Sequence, residues 1–207
     1  MANKVITISR EFGTGARTIG QKLAEELGFA YYDRAIIQLA AEKSGLSPDF
    51  IAKNEEKASN NFRFNVATSA YISSGINLQY TVPVNDKAFI AQSEVIREIA
   101  EKGDCVIIGR CANYVLNDHP NIMKVFVRAD KADRIERCVN EYGYDPKTVE
   151  AELNKIDKGR SSYYKYYTGS AWKDMDNYDF CINSSKGDID SNVKALADLA
   201  KIAFRMG

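Results

Sequence analysis

The stretch Ser9-Arg10-Glu11-Phe12-Gly13-Thr14-Gly15-Ala16-Arg17-Thr18-Ile19-Gly20 follows a β-branched run at 4–8, and its reading decides the fold. The run predicts a strand. Behind it, Ile19, Leu23 and Leu27 recur at i, i+4 and i+8, one face of a helix over 17–27 that Gly28 stops. Strand, small-residue turn and helix N-terminus together have the layout of a phosphate cradle. Backbone N–H groups of residues 13–18 would face one anion, and the helix dipole adds partial positive charge there. Gly13, Gly15 and Ala16 leave room for close approach. The turn departs from G-x-x-x-x-G-K-[ST] in either of two registers. One puts Ala16 at the final Gly, Arg17 at the Lys and Thr18 at the Ser/Thr, with Glu11 at the first Gly. The other aligns Gly13 and Gly15 with loop glycines and puts Ala16 at the Lys. The sequence leaves both open. In each, Arg17 is the only cation in the turn itself, and its planar fork suits phosphate. The plainer alternative is an ordinary strand–helix turn with glycines at positive φ.

Outward from this stretch, strands and helices alternate. Short apolar strands are expected at 29–32, 105–108, 122–127 and 178–182, and helices at 34–44, from Pro48 to about 57, 87–102, 130–142, from Asp145-Pro146 onward, and 190–205. Ser47 and Asp130 sit where N-caps belong. Residues 58–86 are polar and aromatic and read as an insertion. The alternation predicts an α/β fold with a mainly parallel sheet, whose ligands bind at the C-terminal ends of the strands. Attention therefore falls on the loops after Ile8, Tyr32, Ile108, Val127 and Ile182.

Composition narrows the function classes. With 207 residues, 45% hydrophobic, the chain is long enough for one cored domain. Its 28 basic and 28 acidic residues cancel, which argues against non-specific coating of nucleic acid or anionic membrane. No apolar run spans a bilayer, and the N-terminus lacks the apolar core of a secretory signal. Four cysteines without C-x-x-C spacing read as reduced thiols in a cytoplasmic protein. His119, before Pro120, reads as a turn residue and Trp172 as local packing.

Several segments, in order, resemble the cytidylate kinase-like family of P-loop nucleoside monophosphate kinases. They are ITISREFGTGARTIG (6–20), AYYDRAI (30–36), VIIGRCANYVL (106–116), MKVFVRADKADRIERCV (123–139), IDKGRSSYYKYYTG (156–169) and YDFCINSS (178–185). The chain departs from the family pattern in lacking the loop Lys, in having Cys111 after Gly109-Arg110, and in a lid pattern reduced to Asp157-x-x-Arg160. The resemblance implies a three-layer α/β/α P-loop kinase fold, with five parallel strands in order 2-3-1-4-5. It implies one kinase-like domain over 1–207, with an acceptor-binding insertion at about 34–90 and a lid at about 155–172.

The implied activity is phosphoryl transfer from ATP, with Mg2+, to a nucleoside monophosphate, CMP or dCMP foremost. Such transfer needs positioning and charge neutralisation more than covalent chemistry. On this reading Gly13, Thr14, Gly15, Ala16, Arg17 and Thr18 hold the ATP phosphates, and Thr18 is the candidate metal ligand. Arg17, Arg110 and Arg160 are the catalytic cations. Asp33, Arg34, Arg97, Arg110 and Asp157 are the acceptor-binding candidates. Each has a structural alternative: a helix cap for Asp33, a solvated charge for Arg97, and a mutual i, i+3 pair for Asp157 and Arg160. Tyr163, Tyr164, Tyr166 and Tyr167 could cover a base, form a dimer face, or simply pack. Two other functions compete: a kinase for a hydroxyl-bearing small molecule, with Asp33 as base, and a nucleotide-binding regulatory protein with little turnover. A homo-oligomer is compatible with all three.

Overall fold

The computed structural model describes residues 2–57 and 83–206. Strand β1 (Val5–Arg10) leads through the glycine loop into α1 (Ala16–Leu27), followed by β2 (Ala30–Tyr32), α2 (Ala35–Ser44) and α3 (Pro48–Lys57). After the undescribed stretch come α4 (Val84–Lys102), β3 (Cys105–Ile108), a short α5 (Ala112–Val115), β4 (Ile122–Arg128) and α6 (Lys131–Asn140). The chain closes with α7 (Val149–Thr168), β5 (Phe180–Asn183) and α8 (Ile189–Ala203). All strand pairs are parallel, in the order β2-β3-β1-β4-β5 that the resemblance implied.

Period-2 alternation builds the three layers. Ile6, Ile8, Val106 and Ile108 point to one face, where they pack with Ile19 and Leu23 of α1 and Leu196 of α8. Val5, Cys105 and Ile107 point to the other, against Ile36 of α2 and Ile96 and Ile99 of α4. Both faces are covered, so the central strands are apolar throughout rather than alternating. β1 lies between β3 and β4, with Val5 beside both Cys105 and Ile122. The C-terminal ends of these three strands therefore converge at the loops singled out by sequence.

Several details differ from expectation. α4 begins at Val84, three residues early, and the rest of the irregular stretch, 58–82, lies outside the described residues. α5 escaped the sequence reading because four residues give no period. Asp145-Pro146 opens a turn (Thr148 N–H to Asp145 O, 3.0 Å), and the helix starts at Val149. Ser47 caps α3 through its Oγ, which accepts from Phe50 N–H at 3.2 Å. Asp130 makes no such cap; its carboxylate accepts from Asn183 Nδ2 at 3.0 Å, tying β4 to β5. No helix among the described residues is long and apolar enough to cross a membrane.

Candidate active site

The loop after β1 is held open from outside. Gly13 (φ 79°) and Gly15 (φ 73°) both take the left-handed conformation, and Gly15 is the N-cap of α1. A side chain on Gly13 would meet the Arg134 carbonyl and Cys138 Sγ, each at 2.9 Å, so α6 packs directly on the loop. Arg137 Nη1 donates to Gly13 O at 3.0 Å, Arg134 Nε to Phe12 O at 2.6 Å, and Ser184 Oγ to Thr14 O at 2.9 Å. The loop carbonyls are thus turned outward and satisfied. The N–H groups of residues 13–18 donate to no described group. Four orphan donors belong to any helix N-terminus; here Gly13 and Thr14 extend the set, and residues 13–16 are buried. Buried donors without partners need an anion or water. The register is also settled: the glycine before the helix is Gly15, so Ala16 stands where the loop Lys would.

Beside the loop opens a cavity of about 450 Å³. Arg10, Arg17, Arg34, Arg110 and Arg160 line it, with Tyr163, Tyr164 and Trp172 on one wall and Ile37, Gln38, Pro48 and Asp49 on another. Arg110 sits in an unusual corner: Gly109, Arg110 and Cys111 all have positive φ (73°, 55° and 53°). Left-handed backbone at non-glycine residues stores strain of about 1–3 kcal/mol each and clusters at ligand sites. Here it turns the Arg110 side chain, 3% exposed, back toward β2.

Asp33, just past β2, is the carboxylate that this cluster encloses. Its Oδ1 takes Arg110 Nη1 at 3.1 Å and its Oδ2 faces Arg17 Nε at 2.9 Å. Burial works against its charge, but Arg110, Arg17 and Arg10 outweigh burial and hold it below the ordinary carboxylate range. It is not the helix cap.

A second ionic group lies behind the loop. Asp157 Oδ1 accepts Phe12 N–H at 2.8 Å, and its Oδ2 pairs with Arg134. Arg134 also faces Glu11 (3.3 Å), which pairs with Lys173. Arg160 Nη1 donates to Arg10 O at 3.1 Å, and its guanidinium lies 5.5 Å from the Phe12 ring centre. The Asp157–Arg160 pair is loose, at 3.9 Å.

The structure therefore gathers Arg17, Arg34, Arg110 and Arg160 around one cavity, with Asp33 paired to Arg17 and Arg110 of its lining. It places Asp157 under the loop, outside the cavity lining. Arg97 is exposed on α4 and lines no described cavity wall. Thr18 is exposed on the first turn of α1. The tyrosines mostly pack: Tyr163 and Tyr164 are buried with Phe126 and Trp172, Tyr167 stacks on Phe89 at 4.0 Å, and Tyr164 Oη accepts from Asn113 Nδ2 at 2.9 Å. His119 is a turn residue, its Nδ1 accepting from Asn121 N–H at 3.3 Å. Arg10 was missed because it reads as the polar end of a strand. Arg134 and Arg137 were missed because cations on a helix read as solvated, although Arg134 is 8% exposed.

A model of the cytidylate kinase-like family matches residues 5–186. The chain belongs to that family. It is 24% identical to a cytidylate kinase of Methanopyrus kandleri, over 93% of this chain and 90% of that protein. It is 28% identical to a cytidylate kinase of Chloroflexus aggregans, over 67% of this chain and 70% of that one. Among solved structures, an uncharacterized protein from Eubacterium ventriosum superposes with a TM-score of 0.69 at 26% identity, covering 96% of this chain and 98% of that one. A shikimate kinase from Bacteroides thetaiotaomicron shares the fold, with a TM-score of 0.56 at 14% identity over 97% of this chain and 99% of its own.

Membership of the cytidylate kinase-like family implies ATP as donor, usually with magnesium. No cluster of three or more His, Cys, Asp or Glu among the described residues forms a metal cage. That fits an ion that keeps several waters and sits mainly on nucleotide phosphates. Thr18, on the exposed first turn of α1, carries the hydroxyl that would join it. Bound there, magnesium would neutralise phosphate charge.

Proposed function

We propose that this protein transfers the γ-phosphoryl group of ATP to a nucleoside monophosphate, with CMP or dCMP as the preferred acceptor, in the cytoplasm. The observation that carries this reading is the pairing of Asp33 with both Arg110 and Arg17. A hydroxyl acceptor needs a base, and a carboxylate held ionised by two arginines is a poor one. A phosphate acceptor needs none, because it is already nucleophilic near neutral pH. It needs cations, and five arginines line the cavity. The names of the two curated relatives support the nucleotide and the base. Cytosine presents an amino donor and ring acceptors that Asp49 and Gln38, on the far wall, are suited to meet.

In the reaction, an oxygen of the acceptor phosphate attacks the γ-phosphorus. A new P–O bond forms as the bond to the bridging oxygen breaks, and ADP leaves with that electron pair. The loop N–H groups hold the donor phosphates, Arg110 and Arg34 orient the acceptor phosphate, and Arg160 meets charge gathering on the transferred group. Arg97 lies outside the lining, and Asp157 serves from outside it by holding the loop.

The test is acceptor-dependent ADP formation from MgATP over a panel of monophosphates, nucleosides and small alcohols. Turnover with CMP or dCMP, lost in Arg110→Ala, bears the reading out. Turnover only with an alcohol replaces it with hydroxyl transfer. ATP binding without turnover on any acceptor replaces it with a regulatory role.

A further inference from the structure

The loop has lost its lysine, and the structure shows where a cation has gone instead. With Gly15 as the N-cap, the seven positions of G-x-x-x-x-G-K run from residue 10 to residue 16. The first position, normally glycine, is Arg10, and the last, normally lysine, is Ala16. One cation has left the helix start and one has appeared at the strand end, six residues earlier.

Arg10 is held ready and unpaired. It is partly buried, lines the cavity, and its guanidinium forms neither a hydrogen bond nor an ion pair with any described residue. Its guanidinium lies against Gly109, Nη1 foremost: a Cβ there would collide with Nη1 and come within 3.0 Å of Cζ. Burial and the charges of Arg160, Arg110 and Arg17 pull it down to about 9, against the pull of Asp33. Asp33 thus answers to three guanidiniums and already serves Arg110 and Arg17, while Arg160 adds a further like charge beside Arg10. Arg17, the cation expected from sequence, is engaged with Asp33 and 49% exposed on its side chain. Like charges are brought this close where a multiply charged anion completes the set.

We propose that Arg10, not Arg17, replaces the missing loop lysine and grips the terminal phosphate of the donor polyphosphate. The proposal rests on the phosphoryl-transfer reading above and assigns its central cation. Arg10 reaches from the floor of the cavity, where donor and acceptor phosphates would meet. A planar fork can bond two oxygens of the travelling group at once, where an ammonium offers a point charge.

Calorimetry with magnesium tripolyphosphate tests this without any turnover, on the wild type, Arg10→Gln and Arg17→Gln. Thermal melting of each protein, with and without the polyanion, is the second readout. Arg10→Gln should bind about tenfold or more weakly, and its melting temperature without ligand should rise as crowding of like charge is relieved. Arg17→Gln should lose no more than about threefold, a small fraction of a charged hydrogen bond. Gly109→Ala, which displaces the Arg10 side chain without removing it, should weaken binding as Arg10→Gln does. Wild-type affinity in Arg10→Gln overturns the assignment of Arg10, as does a larger loss in Arg17→Gln. A wild type that binds no tripolyphosphate overturns the donor cradle itself, and with it both readings.

Discussion

Asp157 Oδ1 accepts the Phe12 backbone N–H at 2.8 Å while its other oxygen pairs with Arg134. A carboxylate from α7 thus takes a loop donor that lies beside the cradle, and ties α7, α6 and the loop together. Asp157→Ala should remove a charge-assisted bond and leave Arg134 with Glu11 as its counter-charge. The expected cost is about 2–4 kcal/mol, read as a lower urea midpoint at unchanged slope. Asp157→Asn, which keeps an acceptor for Phe12, should lose less. Equal midpoints for the wild type and the alanine variant would remove Asp157 from the framework.

Asp33 gives a pH signature. Its folded value lies below the unfolded one, near 4. Its stabilising contribution is therefore complete at neutral pH, begins to fall below about pH 4, and is lost as pH drops through the folded value. Melting temperatures from pH 7 to pH 3 should show an acid-side decline in the wild type that is shallower in Asp33→Asn. The variant should start lower at pH 7, because Arg110 and Arg17 lose their counter-charge.

Arg160 spans the loop and the cavity, donating to Arg10 O at 3.1 Å. Arg160→Ala should lower kcat by about a hundredfold while leaving the ATP dissociation constant within about threefold, because its contact strengthens as charge builds on the transferred group. A parallel loss of binding and turnover would make it a ground-state anchor instead.

Gly13 and Gly28 separate strain from collision. Both have left-handed φ, 79° and 70°. A Cβ on Gly28 meets nothing within 4 Å, whereas one on Gly13 meets Arg134 O and Cys138 Sγ at 2.9 Å. Gly28→Ala should cost about 1 kcal/mol from backbone strain alone. Gly13→Ala should cost about 2–4 kcal/mol and weaken polyphosphate binding as α6 is pushed off the loop. Equal losses in the two would mean that α6 yields freely.

The alternating strands and covering helices were legible in local periodicity, whereas the sheet order came from the family resemblance that the ordered segments carry. The loop was legible as a candidate cradle from its glycines at 13 and 15, with an ordinary strand–helix turn as the alternative. The registers could not be separated without knowing where α1 starts, and Gly15 at the N-cap decides this. Arg10 was invisible because its meaning depends on Gly109, which only the β1–β3 pairing brings beside it. Arg134 was invisible for a related reason: its partners Glu11 and Asp157 come from two other elements, which only the fold brings to it. Asp33 was legible as a site residue but not as a spent carboxylate, which takes two arginines from separate elements. Charges in a sequence show their type; only the fold shows which of them cancel.

The strand order has a further consequence, for synthesis. β1 and β2 are made first, yet they do not pair with one another: β3 lies between them, joined to β1 at Val5–Cys105 and to β2 at Ala30–Cys105. On the ribosome both early strands wait with open edges until Cys105–Ile108 has emerged, and the far side of β1 waits longer, for Ile122–Arg128. Half of the chain must be present before any of the five described strands finds its neighbour. The nascent N-terminal half is thus the species that chaperones would meet, and the interval before β3 appears is when this protein is most exposed to aggregation.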